Sequence, residues 1–264
     1  MTSKAAKIWE DLSTYLGTSK FIFSVLGVIL LFSTWQIASL FMHDIILASP
    51  LKSFSALFRM MASSRFWNAT LVSVERMSAG ILLGGLAGFI LGILAGLNEK
   101  LKHLLEPTRW LIMSVSPVIV VVIAMLWFGM GTKMVISISS FLLAPIVYVN
   151  TMKGVEMVDE QIVEMARVYK FNTLQLLRHI YIPALAGPLS AAMTIIITTG
   201  TRMIVLAEVL GTNSGIGYEL SFARTDLNTP ELYAWVLVTL ILVGMAEFLF
   251  FKPLENYFLR WKNA

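Results

Sequence analysis

The chain has 264 residues, 57% of them hydrophobic and 14% charged, whereas a water-soluble domain carries about 25% charged residues to cover its surface. With a mean hydropathy of +0.78 it is too apolar for a cytosolic enzyme, a secreted module or a disordered linker, and having no cysteine it has no disulfides, thiolate chemistry or cysteine-held metals. The net charge of +4 does not point to nucleic acid, because the basic residues are scattered through short polar stretches between long apolar runs.

A bilayer core takes about 20 apolar residues per helix. After a polar, amphipathic segment over residues 1–20, six runs approach or meet that length: Phe21–Met42, Ala79–Leu97, Trp110–Phe128, Met134–Val149, Leu185–Leu210 and Leu232–Phe251. The expected fold class is an all-α membrane protein, with six spans over residues 21–264. The second run begins early, near Asn68, which takes Glu75 and Arg76 into its outer turns as an internal charge pair. Its Gly80, Gly84, Gly85, Gly88, Gly92 and Gly96 form a small-residue face on which another helix can pack closely. Pro117, Pro145 and Pro188 lie in or near spans, where bends are tolerated if neighbours satisfy the freed carbonyls.

Six spans place both ends on one side, and the basic residues choose it. Of twenty, Lys52, Arg59, Arg65, Lys133 and Arg224 fall outside and Arg76 and Arg202 within spans, leaving thirteen inside when the N-terminus is cytoplasmic. The excess of cytoplasmic cations favours that orientation.

One inside loop, Asn150 to Ile182, is long. Val155, Val158, Ile162, Met165 and Ala166 recur at roughly helical spacing among acidic residues, and Asn172 with Gln175 three positions on predicts a capped second helix. The spacing predicts a helix-turn-helix at the membrane surface, with one apolar and one charged face. Its residues carry a family signal. Glu164-Met165-Ala166, three residues, Lys170, nine residues, then Ile180-Tyr181-Ile182-Pro183 resembles the EAA loop of ABC importer permeases. That pattern reads Glu-Ala-Ala, three residues, Gly, nine residues, Ile-x-Leu-Pro. Lys170 stands where the family has a glycine suited to a left-handed turn, so a bend displaced toward Asn172 is one outcome the sequence allows. Further stretches resemble the nitrate, sulfonate, taurine and bicarbonate branch: Leu47-Ala48-Ser49-Pro50; Ser73, Arg76 and Gly80; Pro117 with Trp127-Phe128-Gly129-Met130-Gly131; Glu208-Val209-Leu210-Gly211; and Gly215-Ile216-Gly217.

The resemblance implies a type I importer permease of the bacterial or archaeal cytoplasmic membrane, pairing with a second copy. Its partners would be two ABC ATPase subunits and a substrate-binding protein, with ATP and Mg held by the ATPases and no cofactor or metal in this chain. Glu164, Met165, Ala166, Tyr169, Lys170 and Asn172 are then the expected coupling contacts, with Glu164 facing a basic residue and Met165, Ala166 and Tyr169 filling an apolar groove. Within the fifth span, Thr198, Thr201, Arg202 and Glu208 are candidate path residues, and Glu208 is a candidate brace between helices. Arg202 either receives an anionic cargo or pairs with Glu75, Glu208, Glu247 or a residue across the dimer. Gly215, Gly217 and Asp226 mark the expected docking surface for the binding protein.

Other signals carry little. Gly129 to Lys133 lacks phosphate-loop spacing, and His43, His103 and His179 are dispersed. An intramembrane enzyme would need paired catalytic residues at matched depth, and a secondary carrier would usually bring internal repeats; neither pattern is visible.

Overall fold

The computed structural model describes residues 2–247, with side-chain surroundings from residue 22 onward; the end of the sixth predicted span lies outside them, and so do Lys252, Arg260 and Lys262. Among the described residues every regular element is helical. Helix α1 (Thr2–Phe41) runs unbroken from the polar segment into the first apolar run. It touches the rest of the chain through Trp35, whose indole N–H donates to the Ala48 carbonyl at 3.0 Å, and through Phe32 against Phe54.

Helix α2 (Pro50–Met61), not foreseen from the sequence, starts where Pro50 supplies a preset φ and the Ser49 hydroxyl caps the Lys52 amide. It buries Ala56 and Leu57 against Phe66, Ala234 and Trp235. Helix α3 (Ser64–Leu97) starts a turn before Asn68. Its 34 residues span about 50 Å, more than a bilayer core.

The third predicted run is not one straight span. It is divided between α4 (Glu99–Ser114) and α5 (Pro117–Phe128), which meet at 101°. Proline explains the break: Pro117 offers no amide to the preceding turn, and it forces Ser116 into an extended conformation (φ −61°, ψ 131°). Helix α6 (Thr132–Glu156), by contrast, continues through Pro145 and two turns past Val149. The start of the predicted long loop is therefore the end of this helix.

Helices α3 and α6 run parallel and nearly touch. A Cβ placed on Gly84 would lie 2.7 Å from the Ser140 carbonyl oxygen, and one on Gly92 or Gly96 would lie 2.6 Å from Thr151 or Val155. The glycine face predicted in the sequence is thus the seam of this pair, Gly80, Gly84, Gly88, Gly92 and Gly96 facing α6 while Gly85 turns toward Ile196. Helix α10 (Ala186–Gly211) packs antiparallel to both, burying Ile196 against Leu143 and Val147, and Ile204 and Ala207 against Val135 and Ile138. Helices α11 (Ile216–Thr225) and α12 (Thr229–Met245) close the end of the bundle beside α2. Four helices are long and apolar enough to cross a membrane, five if the bent pair counts as one span; α12 is a shorter apolar helix at the limit of the described residues.

Candidate functional site

Between α6 and α10 lies a hairpin. Helix α7 (Glu160–Val168) begins at Asp159, whose carboxylate accepts the Gln161 amide at 2.9 Å. Its turn closes as a Schellman motif. Phe171 N–H donates to the Ala166 carbonyl at 3.0 Å, Lys170 N–H donates to the Arg167 carbonyl at 2.9 Å, and Lys170 adopts φ +59°. The left-handed residue therefore stays at Lys170 and is not displaced toward Asn172, which is extended (φ −79°, ψ 168°). Asn172 instead opens α8 (Thr173–Leu176) with the predicted reciprocal box: its amide donates to the Gln175 side chain and its side chain accepts the Gln175 amide, both at 2.8 Å. A π turn over Leu177–Tyr181 and the short α9 (Ile182–Ala184) lead into α10.

The hairpin's outward face is apolar. Met165, Val168, Tyr169 and Leu174 are 55%, 79%, 73% and 73% exposed. Ala166, expected on that face, is a correction: at 3% exposure it is the inward anchor of α7, because the position one residue past Met165 turns about 100° around the helix. Val168 and Leu174 stand on that face instead, which their exposure shows and their spacing alone does not. Glu164 is exposed and lines a polar cavity of about 550 Å³ with Glu99, Lys102, Glu156, Glu160 and Arg167. Across this cavity Lys102 Nζ meets Glu156 Oε1 at 2.6 Å, fastening the start of α4 to the end of α6.

At the opposite end of the bundle sits a buried ion pair that the sequence reading misassigned. Arg76 does not pair with Glu75, which is exposed. Its Nη1 lies 2.7 Å from Oε1 of Glu208, a residue with 0% exposure. The remaining guanidinium hydrogens go to Thr132 Oγ1 and to the carbonyl and hydroxyl of Ser214. Glu208 also accepts from Ser73 Oγ at 2.7 Å and from Gly217 N–H at 2.9 Å. Glu208, with no exposed surface, is therefore a brace among α3, α10 and α11. Gly215 (φ +101°) and Gly217 are likewise buried around this carboxylate, where a Cβ on Gly215 would overlap Glu208. Of the three expected docking residues only Asp226 is exposed, at the Schellman turn that places Leu227 at φ +56°. The clue in the sequence was that Ser73, Arg76, Glu208, Gly215 and Gly217 all lay in family-like stretches; one chain in one dimension does not say that they converge.

The path candidates separate. Thr201 is buried, its hydroxyl donating to the Ile197 carbonyl at 2.8 Å and resting 3.1 Å from Met77 Sδ. Arg202 is exposed, and Thr198 shares its side of α10.

A family model described as binding-protein-dependent transport system inner membrane component matches residues 84–252, well over half of the chain. The chain belongs to this family. It is 28% identical over 222 residues to SsuC of Bacillus subtilis (strain 168), whose name assigns it as a permease to aliphatic sulfonates transport, covering 83% of this chain and 79% of that one. It is 24% identical over 226 residues to the taurine transport system permease protein TauC of Escherichia coli (strain K12), with coverages of 83% and 82%. A solved structure of the MetNI methionine ABC transporter in inward-facing conformations superposes with a TM-score of 0.59 at 18% identity, covering 70% of this chain and 94% of that one. The permease is thus a multi-pass, all-helical inner-membrane component of an ABC importer with a MetI-like fold. It is not itself an enzyme; in this family ATP hydrolysis belongs to a separate subunit.

Proposed function

We propose that this permease imports a small organic anion as a homodimer, with two ATPase subunits that bind ATP and Mg docked on the hairpins and a substrate-binding protein on the opposite face. In this reading both termini are cytoplasmic and six spans cross the membrane: α1, α3, the bent α4–α5 pair, α6, α10 and α12. The preponderance of cations at the hairpin end supports the orientation. The cargo class is supported by the sulfonate and taurine named for the relatives. Asp226, exposed at the far end, belongs to the docking face.

The observation that carries the reading is the hairpin's exposed surface, where Met165, Val168, Tyr169 and Leu174 stand in water together with an exposed acid, Glu164, for which no carboxylate–cation contact within 4.0 Å is formed among the described residues. Apolar side chains of that size left in water mark an interaction site. Lys170 and Asn172 shape this surface by holding the turn. In the docked state Glu164 meets a basic residue of the ATPase, and ATP-driven closure pushes the hairpin as a lever. Glu164→Lys reverses that contact. In proteoliposomes it is expected to abolish uptake and binding-protein-stimulated ATP hydrolysis while the permease remains in the membrane. Normal coupling in this variant overturns the assignment.

A further inference from the structure

We propose that Arg202 is the charge selector of the translocation path: its guanidinium faces water inside the assembled transporter and holds the oxyanion head of the cargo. The inference rests on the permease reading above and adds to it the residue that discriminates. Arg202 lies nine residues before the end of α10 and sixteen after its start, or roughly 14 Å and roughly 24 Å along the axis. That is deep within a helix apolar enough to span a membrane. An arginine at such depth faces a bundle interior, a water-filled cavity or an acidic partner, since hydrocarbon solvates the guanidinium poorly.

Among the described residues, none of the expected acidic partners within this chain pairs with Arg202. Glu208, on the same helix, is consumed by Arg76, Ser73 and Gly217. Glu75 and Glu247 form no ion pair with Arg202 among the described residues. The other faces of α10 are covered, by α6 and α3 through Ile196 and Gly200, and by α5 and α6 through Ile204 and Ala207. Arg202 instead continues a stripe at helical spacing, Ala191, Ile195, Thr198 and Arg202, that nothing among the described residues covers completely. In a two-fold dimer the residue occurs twice, so two such guanidiniums face one path. A lone cargo anion neutralises one of them, and a sulfonate or carboxylate offers the paired oxygens that the planar guanidinium fork accepts. A neutral solute offers neither charge nor fork.

The chain lacks cysteine, so Arg202→Cys introduces its one thiol and permits a direct test. The variant is assembled with cysteine-free partner subunits in proteoliposomes, and uptake of radiolabelled ethanesulfonate and taurine is followed. The expected result is at least a tenfold loss of uptake, with binding-protein-stimulated ATP hydrolysis kept within about twofold. Aminoethyl methanethiosulfonate, which restores a positive charge, should recover at least half of the uptake. The sulfonatoethyl reagent should react as readily and recover none. A thiol that reacts with neither reagent in both nucleotide-free and vanadate-trapped states overturns the proposal, as does uptake indifferent to the charge of the adduct. So does a wild type that imports neither sulfonate while still coupling ATP hydrolysis to its binding protein. Failure of the permease reading looks different, since the wild type would then recruit no ATPase. Should the cysteine variant not assemble, Arg202→Lys and Arg202→Gln decide: uptake kept by the first and lost by the second supports selection, whereas loss of assembly in the glutamine variant assigns Arg202 a purely structural role.

Discussion

Lys170 shows how much one backbone angle decides. A side chain bearing a Cβ at φ +59° costs roughly 1 kcal/mol or more relative to glycine, yet the turn is kept because Phe171 and Lys170 both find carbonyls across it. Lys170→Gly should therefore tighten the hairpin by about 0.5–1 kcal/mol after the entropy that glycine regains in the unfolded chain is deducted. Amide exchange at Phe171, slowed about two- to fivefold in the variant, would report it; faster exchange would mean that the lysine stem contributes packing at the turn. The family-like spacing identified this position, and the capping box at Asn172 and Gln175 was equally plain, because both are local signals written in adjacent residues. Ala166 was misread for the opposite reason. Which way it points depends on where α7 begins, and the start is set by the Asp159 cap and the break after Glu156, not by the run of apolar residues that seemed to continue from Val155.

Among the elements, the α3–α6 pair is the tightest joint. Gly88 faces the Ala144 carbonyl, and a Cβ there would come within 2.8 Å of Val147 Cβ. Gly88→Val should force the helices apart at a cost of about 1–3 kcal/mol or more, read as a lowered thermal midpoint of the purified complex; Gly27→Val, at a position with nothing within 4 Å, serves as the control. This seam was legible because five glycines at intervals of four residues make one continuous, inclined row on a helix. The break at Pro117 was half legible: the proline announced a bend, but not one of 101°, since the angle depends on how α5 finds its place beside Val135 and Ile204. Helices α2 and α11 escaped notice. Each is too short to register as a span, and each owes its stability to the shared cluster around Trp235 more than to its own pattern.

For the whole molecule, the Arg76–Glu208 pair is the device that joins separate stretches of sequence. Residues more than 130 positions apart meet there, which is why the reading of α3 alone supplied the wrong partner. Glu208→Ala leaves a buried guanidinium without its counter-charge and should destabilise the permease by about 3–5 kcal/mol, whereas an apolar double replacement of Arg76 and Glu208 should recover most of that loss. Thermal unfolding of the three variants in detergent makes the comparison; an additive double variant would mean that the two residues do not act as a unit. Overall class, membrane residence and the presence of a surface hairpin follow from hydropathy and short-range spacing. The brace, the inward turn of Gly215 and Gly217, and the parting of Thr201 from Arg202 are matters of tertiary convergence.

The elbow between α4 and α5 acquires a further meaning from this arrangement. With α3, α6 and α10 clamped by glycine contact along one length and by a saturated guanidinium at one end, those three rods can shift only as a block. Helix α4 buries no residue of its own and is fastened near its start to α6 by Lys102, so a push delivered at the hairpin reaches it directly. Ser116, held extended between two helices that stand almost at right angles, is then a joint at which α5 can swing against α4 without breaking either helix.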